Sequence, residues 1–235
     1  MNSKEVKNHP HILILHGILM NALQMFYLAR QLRKEGFVVH TISYQSILKT
    51  PSANAKIIHK KILELSVNNL HIIGHSLGGL VIAHLLDQFD DDIPKGNIVM
   101  LGTPIQGSWF AQKLQSWPII KKILSNSMKR GLSGENIPEW RSTRQWGMIA
   151  GKKNFGLASI MGGLPLQGDG TVMIKETEHH KINAHKILPV SHTGLVFSRE
   201  VAEHTAYFFK YNHFDINKGK KAMLLDMASS QNKNT

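Results

Sequence analysis

Two hydrophobic periods alternate along the first hundred residues. Ile12–Leu15 is a short continuous apolar run closed by His16-Gly17, and it reads as a buried strand. From Asn21 to Glu35, Leu23, Phe26, Tyr27 and Leu32 recur at helical spacing until Gly36 ends the pattern. Phe37–Ile42 reads as a second strand. Pro51-Ser52 opens a second helix carrying Ile57, Ile58, Ile62, Leu63 and Leu65 on one face. Leu70–Ile73 reads as a third strand, Leu77–Phe89 as the helix after it, and Asn97–Leu101 as a fourth strand. Parallel neighbours need a crossover long enough to hold a helix, so this alternation predicts a parallel sheet. Continuous apolar runs predict strands covered on both faces.

Beyond Leu101 the pattern breaks. Gly102–Gln145 has no clear strand and holds Trp109, Phe110, Trp117 and Trp140 among a surplus of Lys and Arg. Regularity returns at Gly147–Gly151, at Ile182–Val190, and in a closing helix over Val196–Tyr211. Residues 107–145 therefore read as an insertion carried on the sheet, within one domain spanning residues 1–217. The stretch 218–235 is polar and Lys-rich apart from Ala222–Ala228, and is expected to be a loosely held tail. No internal repeat is visible.

Composition narrows the classes. Hydrophobic residues make up 42% of the 235, enough for a buried core. No apolar run approaches the roughly 18 residues that span a bilayer. Met1–Pro10 is polar and lacks the apolar stretch of a secretory signal, so cytoplasmic residence is expected. The absence of cysteine removes disulfides, thiolate metal sites and a thiol nucleophile together. A net charge of +12 favours anionic partners. Without a zinc finger, an RNP-like aromatic motif or a long Lys/Arg block, nucleic acid is an unlikely partner. There is no His-Glu-x-x-His, and His71 and His75 fall at opposite ends of one strand, so no metal site is expected.

The chemistry is concentrated at Gly74-His75-Ser76-Leu77-Gly78, the one Gly-x-Ser-x-Gly in the chain. The bare pentapeptide is a weak signal; its position directly after an apolar strand and at the start of an apolar helix is the informative part. A serine on so sharp a turn takes a strained backbone, and side chains in place of Gly74 and Gly78 would collide with neighbouring chain. Ser76 Oγ is thereby raised above the sheet edge at the positive end of a helix, where the Leu77 N–H faces any developing oxyanion.

Gly-His-Ser-Leu-Gly-Gly resembles the nucleophile elbow of bacterial lipases and esterases of the α/β-hydrolase superfamily. His16-Gly17-Ile18, Gly102-Thr103-Pro104 with Gly107-Ser108, and Gly168-Asp169-Gly170-Thr171-Val172 resemble segments of the same group. The last two are most similar to the branch related to phospholipid acyltransferases and glycolipid-anchor deacylases. The resemblance implies a trimmed α/β-hydrolase fold: a mostly parallel central sheet flanked by helices, beginning at the usual third strand, with the insertion as a lid.

It also implies a triad. A serine hydroxyl needs a base, and the base needs a fixed tautomer. In this fold the acid and then the histidine follow the serine along the chain. His192, between the last strand and the last helix, takes the base position in preference to His179, His180, His185 and His204. Asp169, between two glycines in the loop after Gly147–Gly151, takes the acid position, with Glu176 and Glu178 as rivals. Asp87 and Asp90–Asp92 lie at the wrong sheet edge. The second oxyanion donor is the Ile18 N–H, beside Leu77. His16 and His75 flank the site as packing and hydrogen-bonding residues.

The implied activity is hydrolysis of carboxylic esters through an acyl-enzyme on Ser76, without a cofactor. Acyl transfer by the same triad and a non-catalytic lipid-binding module are the alternatives. An ester or lipid is the expected partner, and the oligomeric state is open. Trp109, Phe110 and Trp117, amid Lys113, Lys121, Lys122, Lys129 and Arg130, have two readings: a cap that packs its apolar face on the core and solvates its lysines, or a lid that also contacts substrate and docks peripherally on anionic membrane.

Overall fold

The computed structural model describes residues 9–216; the expectations for Met1–Asn8 and for the tail 218–235 fall outside them. Six strands form one sheet: β1 (His11–Leu15), β2 (Val38–Ile42), β3 (Leu70–His75), β4 (Ile98–Leu101), β5 (Trp146–Gly151) and β6 (Ala184–Leu188). They lie in the order β2-β1-β3-β4-β5-β6, and every pairing is parallel. β1, β3, β4 and β5 are buried along their whole length, while the two edge strands are partly exposed. Runs such as Ile12-Leu13-Ile14-Leu15 suit this placement: Leu13 and Leu15 join the core on one face of the sheet, Ile12 and Ile14 the core on the other.

The helices divide between the faces. α1 (Phe26–Lys34) and α8 (Arg199–Tyr211) bury Leu28, Leu32, Val201 and Phe208 on one side. α2 (Pro51–Leu65) and α3 (Leu77–Phe89) bury Ile58, Ile62, Leu80 and Leu85 on the other. The short helices α4 (Trp109–Leu114), α5 (Pro118–Ser127), α6 (Leu157–Ile160) and α7 (Gly194–Phe197) lie in the connections. Chain order reverses between β1 and β3, because β1 feeds a helix on one face and β3 a helix on the other. The connections leaving these two strands part from one another, which opens a crevice at their C-terminal ends.

Two elements differ from expectation. The helix expected over Asn21–Glu35 starts as a 3-10 turn, Ala22–Met25, because Asn21 and Gln24 form a reciprocal cap before α1. The closing helix is broken at Ser198, which is extended (φ −97°, ψ 127°) and accepts the Val201 N–H with its hydroxyl. A serine able to cap the next turn competes with its own place in a helix interior.

The insertion forms no strand, as expected; it is helical only up to Leu132, and not all of it is cap. Trp140 stacks on Trp146 with ring centres 4.2 Å apart, and buried Arg144 pairs with Asp90 and donates to the Pro94 and Gly96 carbonyls. Its C-terminal end thus belongs to the body of the sheet. Only the stretch from α4 to about Glu135 stands over the strand ends.

Candidate active site

Ser76 is the first residue after β3, in the middle of the sheet, with φ 53° and ψ −120°. A non-glycine residue held at positive φ costs on the order of 1–3 kcal/mol and persists only where its surroundings over-determine it. They do so here. The Ser76 N–H donates to Leu101 O at 2.9 Å, and its carbonyl accepts from Thr103 Oγ1 and Gly79 N, both at 3.0 Å. A Cβ on Gly74 would stand 2.5 Å from Gly79 N, and one on Gly78 would stand 2.5 Å from Leu15 O. The two outer glycines of the motif are therefore steric requirements of the turn.

The loop after β5 brings the second group. Asp169 is buried; its Oδ1 accepts from Thr171 N at 3.0 Å and Val172 N at 2.8 Å, and its Oδ2 lies 2.7 Å from His192 Nδ1. The His192 N–H donates to the Asp169 carbonyl at 2.9 Å, so main chain and side chain are tied together. A carboxylate partner at Nδ1 fixes the proton there and leaves Nε2 as the free nitrogen. Among the described residues Nε2 makes no hydrogen bond, to Ser76 Oγ included. Such contacts are often long before substrate is bound.

His192 is held beside the elbow by His75. The two rings are 4.8 Å apart, and His75 Nε2 donates to the His192 carbonyl at 3.1 Å. Burial pushes His75 down to about 3, so its ring is neutral at physiological pH and puts no competing charge beside His192.

The loop after β1 closes the crevice from the other side. His16 Nδ1 donates to Gly17 O at 2.8 Å while its Nε2 accepts the Tyr44 N–H at 3.2 Å, and the Tyr44 ring stacks on it. Pinning the Gly17 carbonyl turns the N–H of the same peptide, that of Ile18, the opposite way. A Cβ on Gly17 would stand 3.0 Å from His75 Nδ1 and 3.2 Å from Ser76 Cβ, so a side chain here would crowd the elbow. Neither Ile18 N nor Leu77 N donates a hydrogen bond among the described residues.

The comparisons with known proteins meet this geometry. The mature form of the lipase BlEst2 of Bacillus licheniformis superposes with a TM-score of 0.67 over 85% of this chain and 90% of its own, at 19% identity. The metagenomic carboxyl esterase MGS0156 gives 0.63 over 85% and 74%, at 13% identity. The esterase EaEST of Exiguobacterium antarcticum gives 0.58 over 86% and 92%, at 14%. The chain has the α/β-hydrolase fold. No protein-family model matches it, and no curated protein matches it by sequence. The likeness stands at the level of the fold and does not reach the acyltransferase and deacylase branch that the short motifs resemble.

Within this α/β-hydrolase fold, Ser76, Asp169 and His192 converge on one sheet edge with Ile18 and Leu77. The lid aromatics do not converge. Phe110 is buried with the core, Trp109 is half-buried under Lys113 Nζ at 5.0 Å from its ring, and Trp117 is exposed. Phe110 is thereby a packing residue, because a helix as short as α4 has few other side chains with which to hold itself down.

Glu176, the rival acid, sits in the 3-10 turn Ile174–Thr177 and is occupied elsewhere. One carboxylate oxygen accepts Trp109 N and the other accepts Met173 N at 2.7 Å. Burial raises its pKa, while the two backbone donors favour its charged form. It straps α4 to the Asp169 loop. Glu178 is exposed, outside that turn.

Sequence reading placed His16 and His75 beside the site as packing and hydrogen-bonding residues, as they are found, but it missed Tyr44 and the support that Thr103 gives beneath the elbow. A Cβ on Gly102 (φ 57°) would stand 3.1 Å from Asp169 Oδ2 and 3.2 Å from His192 Nδ1. The Gly-Thr-Pro motif had marked Gly102 and Thr103, but not their work. Among the described residues no group of three or more His, Cys, Asp or Glu is arranged to hold a metal, and no helix is long and apolar enough to cross a membrane.

The buried histidines set an acid limit on stability. Burial lowers His71 to about 4 and His75 to about 3, both below the 6.5 of an unfolded chain. The unfolded state then binds more protons over this interval, so stability is full above about pH 6.5 and falls as pH drops toward 4. For the pair the expected slope is up to about 3 kcal/mol per pH unit, and the lowered His16 and His84 act in the same direction. Urea unfolding at a series of pH values checks this. A flat profile from pH 6.5 to 5 would contradict buried, neutral rings.

Proposed function

We propose that this protein hydrolyses carboxylic esters through a covalent acyl-enzyme on Ser76. The observation carrying the proposal is the Asp169–His192 pair beside a strained serine at the central crevice of the sheet. In the proposed cycle Ser76 Oγ attacks the ester carbonyl carbon while its proton passes to His192 Nε2. Asp169 holds Nδ1–H and stabilises the imidazolium. The negative charge that forms on the carbonyl oxygen is taken by the Ile18 and Leu77 N–H groups, neither of which donates a hydrogen bond among the described residues. Collapse expels the alcohol, protonated by Nε2–H. Water then adds to the acyl-enzyme with His192 as base, and the acid leaves as Ser76 regains its proton.

The solved structures most like this chain include proteins described as a lipase, a carboxyl esterase and an esterase, which supports the ester class. A fluorophosphonate probe is the direct test, because it phosphonylates a hydroxyl only where a neighbouring base removes the proton. Wild-type protein should gain one phosphonyl group, mapped to the peptide holding Ser76. Labelling elsewhere, or none under conditions where the protein is folded, would overturn the proposal.

A further inference from the structure

Thirteen large hydrophobic side chains are exposed among the described residues, and their distribution is one-sided. Leu63 and Tyr211 lie at the C-terminal ends of α2 and α8, and Ile187 lies on the edge strand β6. The other ten all fall in segments that follow the C-terminal end of a strand, at the edge of the sheet where Ser76 sits. Isolated exposed apolar residues need no explanation; a set confined to one edge does.

The cap carries the densest part of it. On α5, Leu124 and Ser127 are buried while Ile119 and Ile123, one turn apart, face solvent. Asn126 on the same flank donates to Leu48 O at 3.1 Å, which joins this strip to Leu48 in the connection after β2. Trp117, just before the helix, is 53% exposed, Ile119 76% and Leu48 72%.

Charge follows the same division. From Trp109 to Asn136 the cap has five cations, Lys113, Lys121, Lys122, Lys129 and Arg130, and one carboxylate, Glu135. Lys121, Lys122 and Lys129 are exposed and form no ion pair among the described residues. The opposite edge exposes Glu64, Asp87, Asp91 and Asp92. There Asp91 pairs with Lys95 and Asp92 with His59, so the unpaired cations of the cap edge make it the more attractive side for an anionic surface.

We infer that the cap edge is a docking surface for anionic lipid, with Trp117, Ile119, Ile123 and Leu48 entering the interface and Lys121, Lys122 and Lys129 engaging headgroup phosphates. A free polyanion would use the lysines and have no need of the apolar strip. Lipid uses both, and docking there turns the Ser76 crevice toward the bilayer. The inference goes beyond the proposed hydrolysis and does not depend on it.

The test is co-sedimentation of the full chain with vesicles of phosphatidylcholine alone and of phosphatidylcholine with about one-third phosphatidylglycerol. Binding should be at least about 10-fold tighter to the anionic vesicles and should weaken as salt rises. Lys121→Gln/Lys122→Gln/Lys129→Gln should weaken it by on the order of 100-fold. Ile119→Ser/Ile123→Ser should also weaken it, and should remove the blue shift of Trp117 fluorescence on binding. Both variants should keep the wild-type thermal midpoint and bind the fluorophosphonate probe as wild type does. Equal binding to both vesicles, or to neither, overturns the inference. So does tighter binding to RNA that the isoleucine variant leaves intact. A lipid-free dimer abolished by the isoleucine variant would instead assign the strip to a second copy of the chain, and likewise overturns it.

Discussion

Ser76→Ala is expected to lower kcat for a water-soluble carboxylic ester by roughly 10⁴–10⁶-fold, with little change in KM and none in fold. The loss is large because the hydroxyl is the bond-forming atom; oxyanion donors and bound geometry without it leave only a small residual rate. The fold should survive because the turn is held through the main chain, by the Leu101, Thr103 and Gly79 contacts, none of which uses Oγ. Alanine must still accept φ 53°, so a drop of about 1 kcal/mol in stability is tolerable within the prediction. The measurement is steady-state hydrolysis of a short p-nitrophenyl ester, with unfolding followed in parallel. Wild-type turnover in a folded Ser76→Ala protein would end the acyl-enzyme proposal.

Asp169→Asn should reduce kcat by about 10³–10⁴-fold, the size of effect seen when the acid of such a triad can no longer fix the histidine tautomer. The amide can present a donor where Oδ2 now accepts from Nδ1–H, which favours the proton on Nε2, the nitrogen that must be free to take the serine proton. Glu176→Gln gives a different signature. Both of its oxygens accept backbone N–H groups, so an amide NH₂ turned toward one of them leaves a buried donor opposed by another donor. That should cost about 1–3 kcal/mol of stability while kcat in the folded fraction stays within about 10-fold of wild type. Comparing kcat with unfolding free energy for the two variants separates these effects. A folded Asp169→Asn enzyme of near-normal kcat, beside a Glu176→Gln enzyme that has lost it, would transfer the acid role.

The sheet was legible because the decisive information is local. Four strands buried on both faces must be continuous apolar runs, and crossover helices must carry one apolar stripe, so both periods are written along the chain. The elbow was legible for a related reason: strand, serine between glycines and helix are consecutive, and the steric demand that selects Gly74 and Gly78 acts over a few residues. Ser198 shows the limit of periodicity, since the apolar spacing runs on through a residue whose hydroxyl ends one turn and caps the next.

Pairings between segments far apart in the chain are not written in any period: the Asp169–His192 pair was implied only by the resemblance of short motifs, and the others were decided by the tertiary structure alone. Asp169 and His192 meet across 23 residues, and His75 reaches His192 across 117. His16 aims the Ile18 N–H only because the Tyr44 N–H, on the connection after β2, donates to its other nitrogen. No period encodes such contacts, because they depend on where the strand ends come together. The cap shows the same division. Its sequence determined that it is cationic, aromatic and free of strands. Only the packing decided that Phe110 faces the core, Glu176 ties down α4, and Ile119, Ile123 and Trp117 are left to solvent. A short amphipathic helix has several apolar flanks to choose from, and the surface it lands on makes the choice.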